Sequence, residues 1–331
     1  MKLGLIGASN IAEVRMIPAF RENGHEVIAV QSGGQSRADE FAAKNDIPNA
    51  TTSIDELLAL PGLDAVYISS TNEKHFDQAM AAIKAGKHVL CEKPLAMNIA
   101  DAVRMVKAAE DAGLVFATNH HLRNGANHRA IRDLVQKGEI GQVLSLRVFH
   151  AVHLPEQLQG WRIDNAGAGG GVILDIVVHD ADTVRFYLDE DPVDVVAQAT
   201  SGGLGQGVED SVMSVWSMPS GAQVMAHESF THAHAGTGIE IHGTEGSIIA
   251  REVMQGPGGE IMLRRGKEVT PVAFDPEEVY PRSARLFGAA VEGKGQPAAT
   301  GRDGIASLAV ALAVAEAART GQRTAVDYGE K

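Results

Sequence analysis

A chain of 331 residues exceeds the size at which one hydrophobic core usually keeps growing, so two domains are expected. With 44% hydrophobic and 21% charged residues it has the composition of a folded globular protein, and its formal charge of -13 excludes a non-specific grip on nucleic acid or an anionic membrane, which both need clustered Lys and Arg. The single cysteine, Cys91, rules out an internal disulfide framework and suits a reducing, cytoplasmic compartment, where it reads as a small buried hydrophobe at a strand end.

The stretch Met1-Lys2-Leu3-Gly4-Leu5-Ile6-Gly7 runs directly into a buried strand, without the basic and apolar regions of a leader. No apolar run reaches the roughly 18 residues of a membrane span, so a soluble protein is expected. Short apolar runs at residues 3–6, 26–30, 65–69, 88–91 and 114–118 then alternate with helix-period segments at 11–20, 37–44, 54–60, 76–85 and 99–112. This is the pattern of βαβ units. It predicts an α/β domain over residues 1–120, a Rossmann doubly wound parallel sheet with its ligand crevice at the strands' carboxyl ends.

After a helix at 128–137 the pattern changes. Residues 143–152 read as a strand and 175–188 as a helix, followed by strands at 193–200, 211–218, 222–230, 238–242, 247–250, 260–264 and 268–274. Turn signals such as Met218-Pro219-Ser220-Gly221 and Gly243-Thr244-Glu245-Gly246 separate them, and the glycine-rich stretch 201–207 reads as a surface connection. Strands joined by short turns predict an α+β domain over residues 121–331 with a large, mostly antiparallel open sheet. Helical patterns at 284–291 and 303–318 are expected to cover one face. The sheet also offers a face for a second copy, so a monomer and a homo-oligomer are both open.

Within this frame the first βα turn, Ile6-Gly7-Ala8-Ser9-Asn10-Ile11-Ala12, is a partial dinucleotide fingerprint. Gly7 holds the tight turn; Ser9 and Ala12 replace the second and third glycines with residues small enough for backbone to approach a pyrophosphate at a helix N-terminus. Where an NAD-selective site carries Asp or Glu at the end of the second strand, this chain has Gln31-Ser32-Gly33-Gly34, followed by Arg37. A hydroxyl and a guanidinium can bond the 2′-phosphate of NADP, where a carboxylate would repel it.

Two further segments fall at the same edge, Ser69-Ser70-Thr71-Asn72-Glu73-Lys74-His75 and Cys91-Glu92-Lys93-Pro94. Pro94 has no N–H for a ladder and biases Lys93 toward an extended conformation, so that Lys93 can point into the crevice. In the second half Gly169-Gly170-Gly171 leads into a helix on which Asp175 and His179, four residues apart, share one face. Two titratable groups on an otherwise apolar face beside a glycine turn mark a candidate site.

Glu92-Lys93-Pro94, Thr71-Asn72-x-x-His75 and Asp175-x-x-x-His179 together resemble the glucose-fructose oxidoreductase, inositol dehydrogenase and MocA (Gfo/Idh/MocA) family, over nearly the whole chain. The resemblance implies an NADP(H)-dependent oxidoreductase that reduces a small sugar-derived ketone, with Lys93, His179 and Asp175 catalytic. It places the pyrophosphate turn at Gly7, Ala8, Ser9, Asn10 and Ile11, the adenosine phosphate at Ser32, Gly33 and Arg37, and the ribose and nicotinamide at Ser70, Thr71, Asn72, His75 and Asn119. Glu92 and Lys93 would flank the nicotinamide, and Trp161, Arg162 and Tyr280 would close over it from the second domain. His120, His121, His150, His153 and Asp175 would meet substrate hydroxyls, and His232 and His234 would be plain loop positions. No metal is called for, because hydride transfer to a nicotinamide needs none. An NAD(P)-dependent dehydrogenase of another sugar or an inositol is a second reading, and a non-catalytic NADP-sensing regulator a third. A sensor would not need Lys93, Asp175 and His179 together.

Overall fold

In the computed structural model, which describes residues 1–329, the apolar runs gather into two sheets. The first holds β1 (Lys2–Ile6), β2 (Glu26–Gln31), β3 (Asn49–Thr51), β4 (Ala65–Ile68), β5 (His88–Cys91) and β6 (Phe116–Thr118), in the order β3-β2-β1-β4-β5-β6. Every neighbouring pair is parallel. Leu3, Leu5, Ala65, Val66, Tyr67 and Ile68 are fully buried, as expected of strands covered on both faces, whose apolar runs are continuous rather than alternating. The strand order reverses between β1 and β4, the switch point at which such sheets bind ligands. Strand β3 was not predicted: Asn49-Ala50-Thr51 has no apolar periodicity and owes its conformation to pairing with β2 at the sheet's edge.

The chain divides into a first unit, Met1–His121 with Tyr280–Ile305, and a second, Leu122–Val279 with Ala306–Gly329. Sequence reading assigned everything after residue 120 to one later domain. Tyr280–Ile305 departs from that assignment because Ala284 and Phe287, on the helix Val279–Val291, are buried in one apolar cluster with Leu3, Phe20 and Tyr67. Ala117 and Thr300 also pair in an antiparallel bridge. The helix expected at 284–291 therefore packs in the first unit instead of covering the large sheet.

That large sheet contains β7 (Val143–Ala151), β8 (Asp194–Thr200), β9 (Ser211–Ser217), β10 (Gln223–Ser229), β11 (Thr237–Gly243), β12 (Ser247–Arg251), β13 (Glu260–Arg265), β14 (Glu268–Pro271) and β15 (Thr324–Ala325), in the order β14-β13-β12-β11-β7-β10-β9-β8-β15. All neighbours are antiparallel except β7 and β10, because β7, the first of these strands in the chain, is inserted in the middle. On the covered face Leu146, Val148, Val224 and Ala226 share a core with Val178, Ala181 and Val184 of the helix Val178–Leu188 and with Val310 and Val314 of the helix Gly301–Thr320. Val196, Met213, Val215 and Met225 on β8, β9 and β10 are exposed. No helix among the described residues is long and apolar enough to cross a membrane.

Two of the polar groups inside this core show how burial is compensated. Arg123 forms a two-pronged ion pair with Asp182. His128, on the helix Ala126–Gln136, is 1% exposed, with Nδ1 2.5 Å from the Tyr187 hydroxyl and Nε2 2.9 Å from the Val253 carbonyl oxygen. Burial lowers its pKa from 6.5 to about 4. Because the folded value lies below the unfolded one, the stability that depends on neutral His128 is complete above the unfolded pKa and is lost as pH falls through this window. A shift of this size corresponds to about 3 kcal/mol. Denaturant unfolding at neutral pH and near pH 4.5 should show a smaller acid loss for His128→Gln, whose amide does not titrate; an unchanged pH slope would contradict the assignment.

Candidate active site

The first unit presents its polar groups at the carboxyl ends of β1, β2, β4 and β5. Gly7 has φ +112°, and a Cβ there would lie 2.8 Å from Ser70 N and 2.9 Å from the Ser69 carbonyl carbon. The turn after β1 thus passes the end of β4 backbone to backbone, which only glycine allows. Ser9 donates to Ser69 Oγ at 2.7 Å and accepts the Ala12 N–H at 3.2 Å, capping a helix that continues through a π-turn, Ala12–Met16, into Ile17–Glu22. Ala8 to Ile11 are thereby held at a helix N-terminus with a cradle that a side chain would fill. These residues fit a dinucleotide pyrophosphate.

The candidates for the adenosine phosphate meet the same turn. Arg37 Nη2 donates to Ala8 O at 2.7 Å, and a guanidinium with five N–H groups keeps others for a phosphate. Ser32 is 5% exposed, with its N–H on Thr51 O at 3.1 Å, and Gly33 is exposed. The first turn of the helix Gln35–Lys44 carries no acid.

At the ends of β4 and β5 the structure separates supports from surfaces. His75, expected to touch cofactor, is fully buried with Nδ1 2.9 Å from Pro94 O and Nε2 3.1 Å from Ser70 O. It ties the two loops together and has no surface to offer a ligand. Ser70 Oγ donates to Gln78 Oε1 at 2.6 Å, Thr71 Oγ1 to Glu73 Oε1 at 2.8 Å, and Asn72 is buried. Glu92 Oε1 accepts from Tyr67 and from Asn119 Nδ2, each at 2.6 Å, while Ser283 Oγ donates to Asn119 Oδ1 at 2.9 Å. Burial pushes the Glu92 carboxyl up, against the pull of these two donors and the neighbouring Lys93 charge. Lys93 follows at the strand end, in a cis peptide with Pro94. The supports Tyr67 and Ser283 escaped sequence reading: one lies inside an apolar strand and the other returns from far along the chain.

His120 is buried, its N–H on Thr118 O at 2.9 Å. His121 stacks on Tyr280, the ring centroids 5.1 Å apart and the planes 17° from parallel. Tyr280, expected in the second domain, therefore belongs to the first unit.

In the second unit a Cβ on Gly170 would lie 2.5 Å from Trp161 O and 2.8 Å from Asn165 O, so the glycine turn lets the short helix Trp161–Asp164 pack against it. Arg162 lies with its guanidinium 4.7 Å from the Trp161 ring centroid and its Nε 3.4 Å from Asp175 Oδ2. Trp161 and Arg162, which the resemblance assigns to the cofactor, are thus grouped with Asp175 of the same unit. Asp175 and His179 are 9% and 7% exposed.

Their spacing does not fall on a regular α-helix. Ile173–Val177 is a π-turn leading into Val178–Leu188, so Asp175 and His179 are not related as four-residue spacing on an α-helix would place them, and such wider turns are frequent at functional sites. Glu209 holds the start of this segment, its carboxylate accepting from Ile173 N at 3.1 Å and its carbonyl from Val172 N at 3.0 Å. The adjacent Asp210 carboxylate accepts from the N–H groups of Gly203, Leu204 and Gly205 at 2.7, 2.7 and 2.9 Å. Against the burial that would raise it, these donors hold Asp210 below the ordinary carboxylate range. The loop read as a plain connection is therefore clamped.

Among the remaining histidines, His150 Nδ1 lies 2.8 Å from Asp180 Oδ1, whereas His153 is exposed. His232 is more than a loop position: its Nδ1 lies 2.8 Å from Ser229 Oγ and its ring meets His227 edge-on. His234 is exposed. The described residues contain no group of His, Cys, Asp and Glu arranged to hold a metal ion.

Comparison with known proteins places both units. A family model described as "Oxidoreductase family, NAD-binding Rossmann fold" matches residues 1–120, and one described as "GFO/IDH/MocA C-terminal domain" matches residues 128–249. The chain is 52% identical to a 1,5-anhydro-D-fructose reductase of Ensifer adhaerens over 98% of each chain. It is 29% identical to D-xylose 1-dehydrogenase (NADP(+)) 2 of Haloferax volcanii, over 99% of this chain and all of the relative. The crystal structure of aldose-aldose oxidoreductase from Caulobacter crescentus, complexed with glycerol, superposes with a TM-score of 0.89 at 25% identity, covering 98% of this chain and 99% of the other.

The close approach at Gly7 generates a direct test. Gly7→Ala places a methyl group against main-chain atoms that cannot rotate away, in a conformation costly for any L residue, and should lower stability by at least about 1 kcal/mol. Thermal unfolding would register the loss and fluorescence titration a weaker hold on the nucleotide. Unchanged melting and binding would show that the β4 end yields.

Proposed function

Because this chain belongs to the Gfo/Idh/MocA family of oxidoreductases, we propose that it is an NADPH-dependent reductase of a sugar-derived ketone, converting 1,5-anhydro-D-fructose to 1,5-anhydro-D-mannitol. The observation that carries this reading is the full-length, 52% identity with a reductase of that name. The placement of Lys93 after a strand end in the NAD(P)-binding unit, and of Asp175 and His179 on one helical segment in the other, supports it.

Ala8 to Ile11 would hold the pyrophosphate, and Ser32, Gly33 and Arg37 the 2′-phosphate. When bound, the dinucleotide supplies the hydride that reduces the carbonyl carbon. The chain's own tasks are to orient the ketone, to stabilise charge growing on its oxygen and to deliver a proton there. His179 is assigned the proton, since imidazole titrates near neutral pH and is recharged from solvent. The Lys93 ammonium stabilises the alkoxide-like charge and helps hold substrate. Asp175, with Arg162 beside it, receives a substrate hydroxyl. We place the reaction in the cytoplasm, where the one buried thiol, Cys91, stays reduced.

Three measurements test the reading. Mixing NADPH with a panel of ketosugars and identifying the product should show oxidation with 1,5-anhydro-D-fructose foremost; no oxidation with any would favour a sensor. Ser32→Asp should weaken NADPH and help NADH, whereas equal use of both cofactors by the unmodified chain with no effect of the change would sink the phosphate assignment. His179→Ala should lower turnover about 10²- to 10⁴-fold with NADPH affinity nearly unchanged, and Lys93→Ala should lower turnover and weaken substrate. Near-normal turnover of His179→Ala across the pH range would move the proton to Lys93.

A further inference from the structure

Alternation along the large sheet points Leu146, Val148 and His150 of β7 and Val224, Ala226 and Glu228 of β10 to its covered face, and Glu228 is the register partner of His150. The helix Val178–Leu188 sets Asp180 against this pair. His150 Nδ1 is 2.8 Å from Asp180 Oδ1, and the Glu228 carboxyl lies close enough to the Asp180 carboxyl to feel its charge. Asp180 and Glu228 are both 0% exposed. Among the described residues no nitrogen or hydroxyl serves Asp180 Oδ2 or either Glu228 oxygen.

Two carboxylates side by side away from water cannot both be charged, so the pair must hold a proton. Burial, then the Asp180 charge, pushes Glu228 well above the carboxylate range, which puts the proton on Glu228 and the negative charge on Asp180. An ionised carboxylate only accepts, so the His150 nitrogen facing it must donate. Neutral His150 then carries its proton on Nδ1 and a bare lone pair on Nε2.

The surroundings leave this balance undisturbed. Tyr187, on the same helix as Asp180, is raised by burial and by that charge, and so stays protonated. His128, from the helix Ala126–Gln136, is held neutral by burial. The nearby Asp182 is engaged by Arg123. The register partners on the adjoining strands, Val212 of β9 beside Glu228 and Thr237 of β11 beside His150, do not titrate in the working range.

We propose that Glu228 is a positioning residue: it gives a proton to the Asp180 contact and thereby fixes His150 as the Nδ1–H tautomer, with Nε2 as an acceptor for a substrate hydroxyl. The tautomer stands on the geometry, and the substrate role rests on the reductase reading above. The ligand at this point presents an O–H rather than a lone pair, which selects a hydroxyketone over its deoxy or O-methylated analogue.

The test separates the two levels. In the full chain with 15N-labelled histidine, the His150 signals, identified by their loss in His150→Gln, should at about pH 8 show a protonated Nδ1 and a bare Nε2. A protonated Nε2 overturns the proposal, and this measurement needs neither a variant of Glu228 nor turnover. In kinetics at saturating NADPH, Glu228→Ala should raise the KM for ketosugar about tenfold, with kcat and the KM for NADPH little changed. Glu228→Gln, which keeps a donor toward Asp180, should restore it. Loss of kcat alone, or a Gln variant as poor as Ala, counts against the positioning role. If no ketosugar is turned over the reductase reading fails, and the tautomer measurement still decides the Glu228 assignment.

Discussion

Asp180 and Asp182 place two carboxyls in the apolar layer between a helix and the covered face of the large sheet, and the second unit is arranged around that burden. An unpaired charge there would cost several kcal/mol. Arg123 answers Asp182 with a two-pronged ion pair, and His150 with protonated Glu228 answers Asp180. Arg123 comes from the turn Leu122–Asn124 and His150 and Glu228 from two strands, so the helix is held from both sides in one rotational setting. With that setting fixed, Asp175 and His179 on the same continuous segment have defined directions as well.

The first unit reaches the same end through backbone. The turn after β1 and the end of β4 meet without an intervening side chain at Gly7, and the serines on either side, Ser9 and Ser69, hold the contact through their hydroxyls. His75 and the Ser283–Asn119–Glu92–Tyr67 chain then tie the neighbouring strand ends. In both units the polar residues nearest the proposed chemistry fall into two kinds. Some offer surface to a ligand. Others, buried and fully engaged, hold the first kind in place, which is how a site keeps catalytic groups within small tolerances.

The sequence by itself determined the two sheets, most of their strands, the parallel character of the first and the residues Gly7, Lys93, Asp175 and His179 as the places to look. These follow from apolar periodicity and from glycine and proline at turns, which are properties of short stretches of chain. Tertiary structure decided the rest. The return of Tyr280–Ile305 to the first unit depends on Ala284 and Phe287 finding the core around Leu3 and Phe20, far away in the chain. The parallel pairing of β7 with β10 depends on which strands flank an insertion. The π-turn before His179 costs nothing visible in side-chain spacing, yet it changes which residues face together. Glu228 did leave a local trace, a carboxyl where the alternation Val224-x-Ala226-x-Glu228 calls for an apolar side chain. Its meaning appeared only when the fold brought His150 and Asp180 to it, because the protonation of a buried carboxyl is set by its neighbours in space.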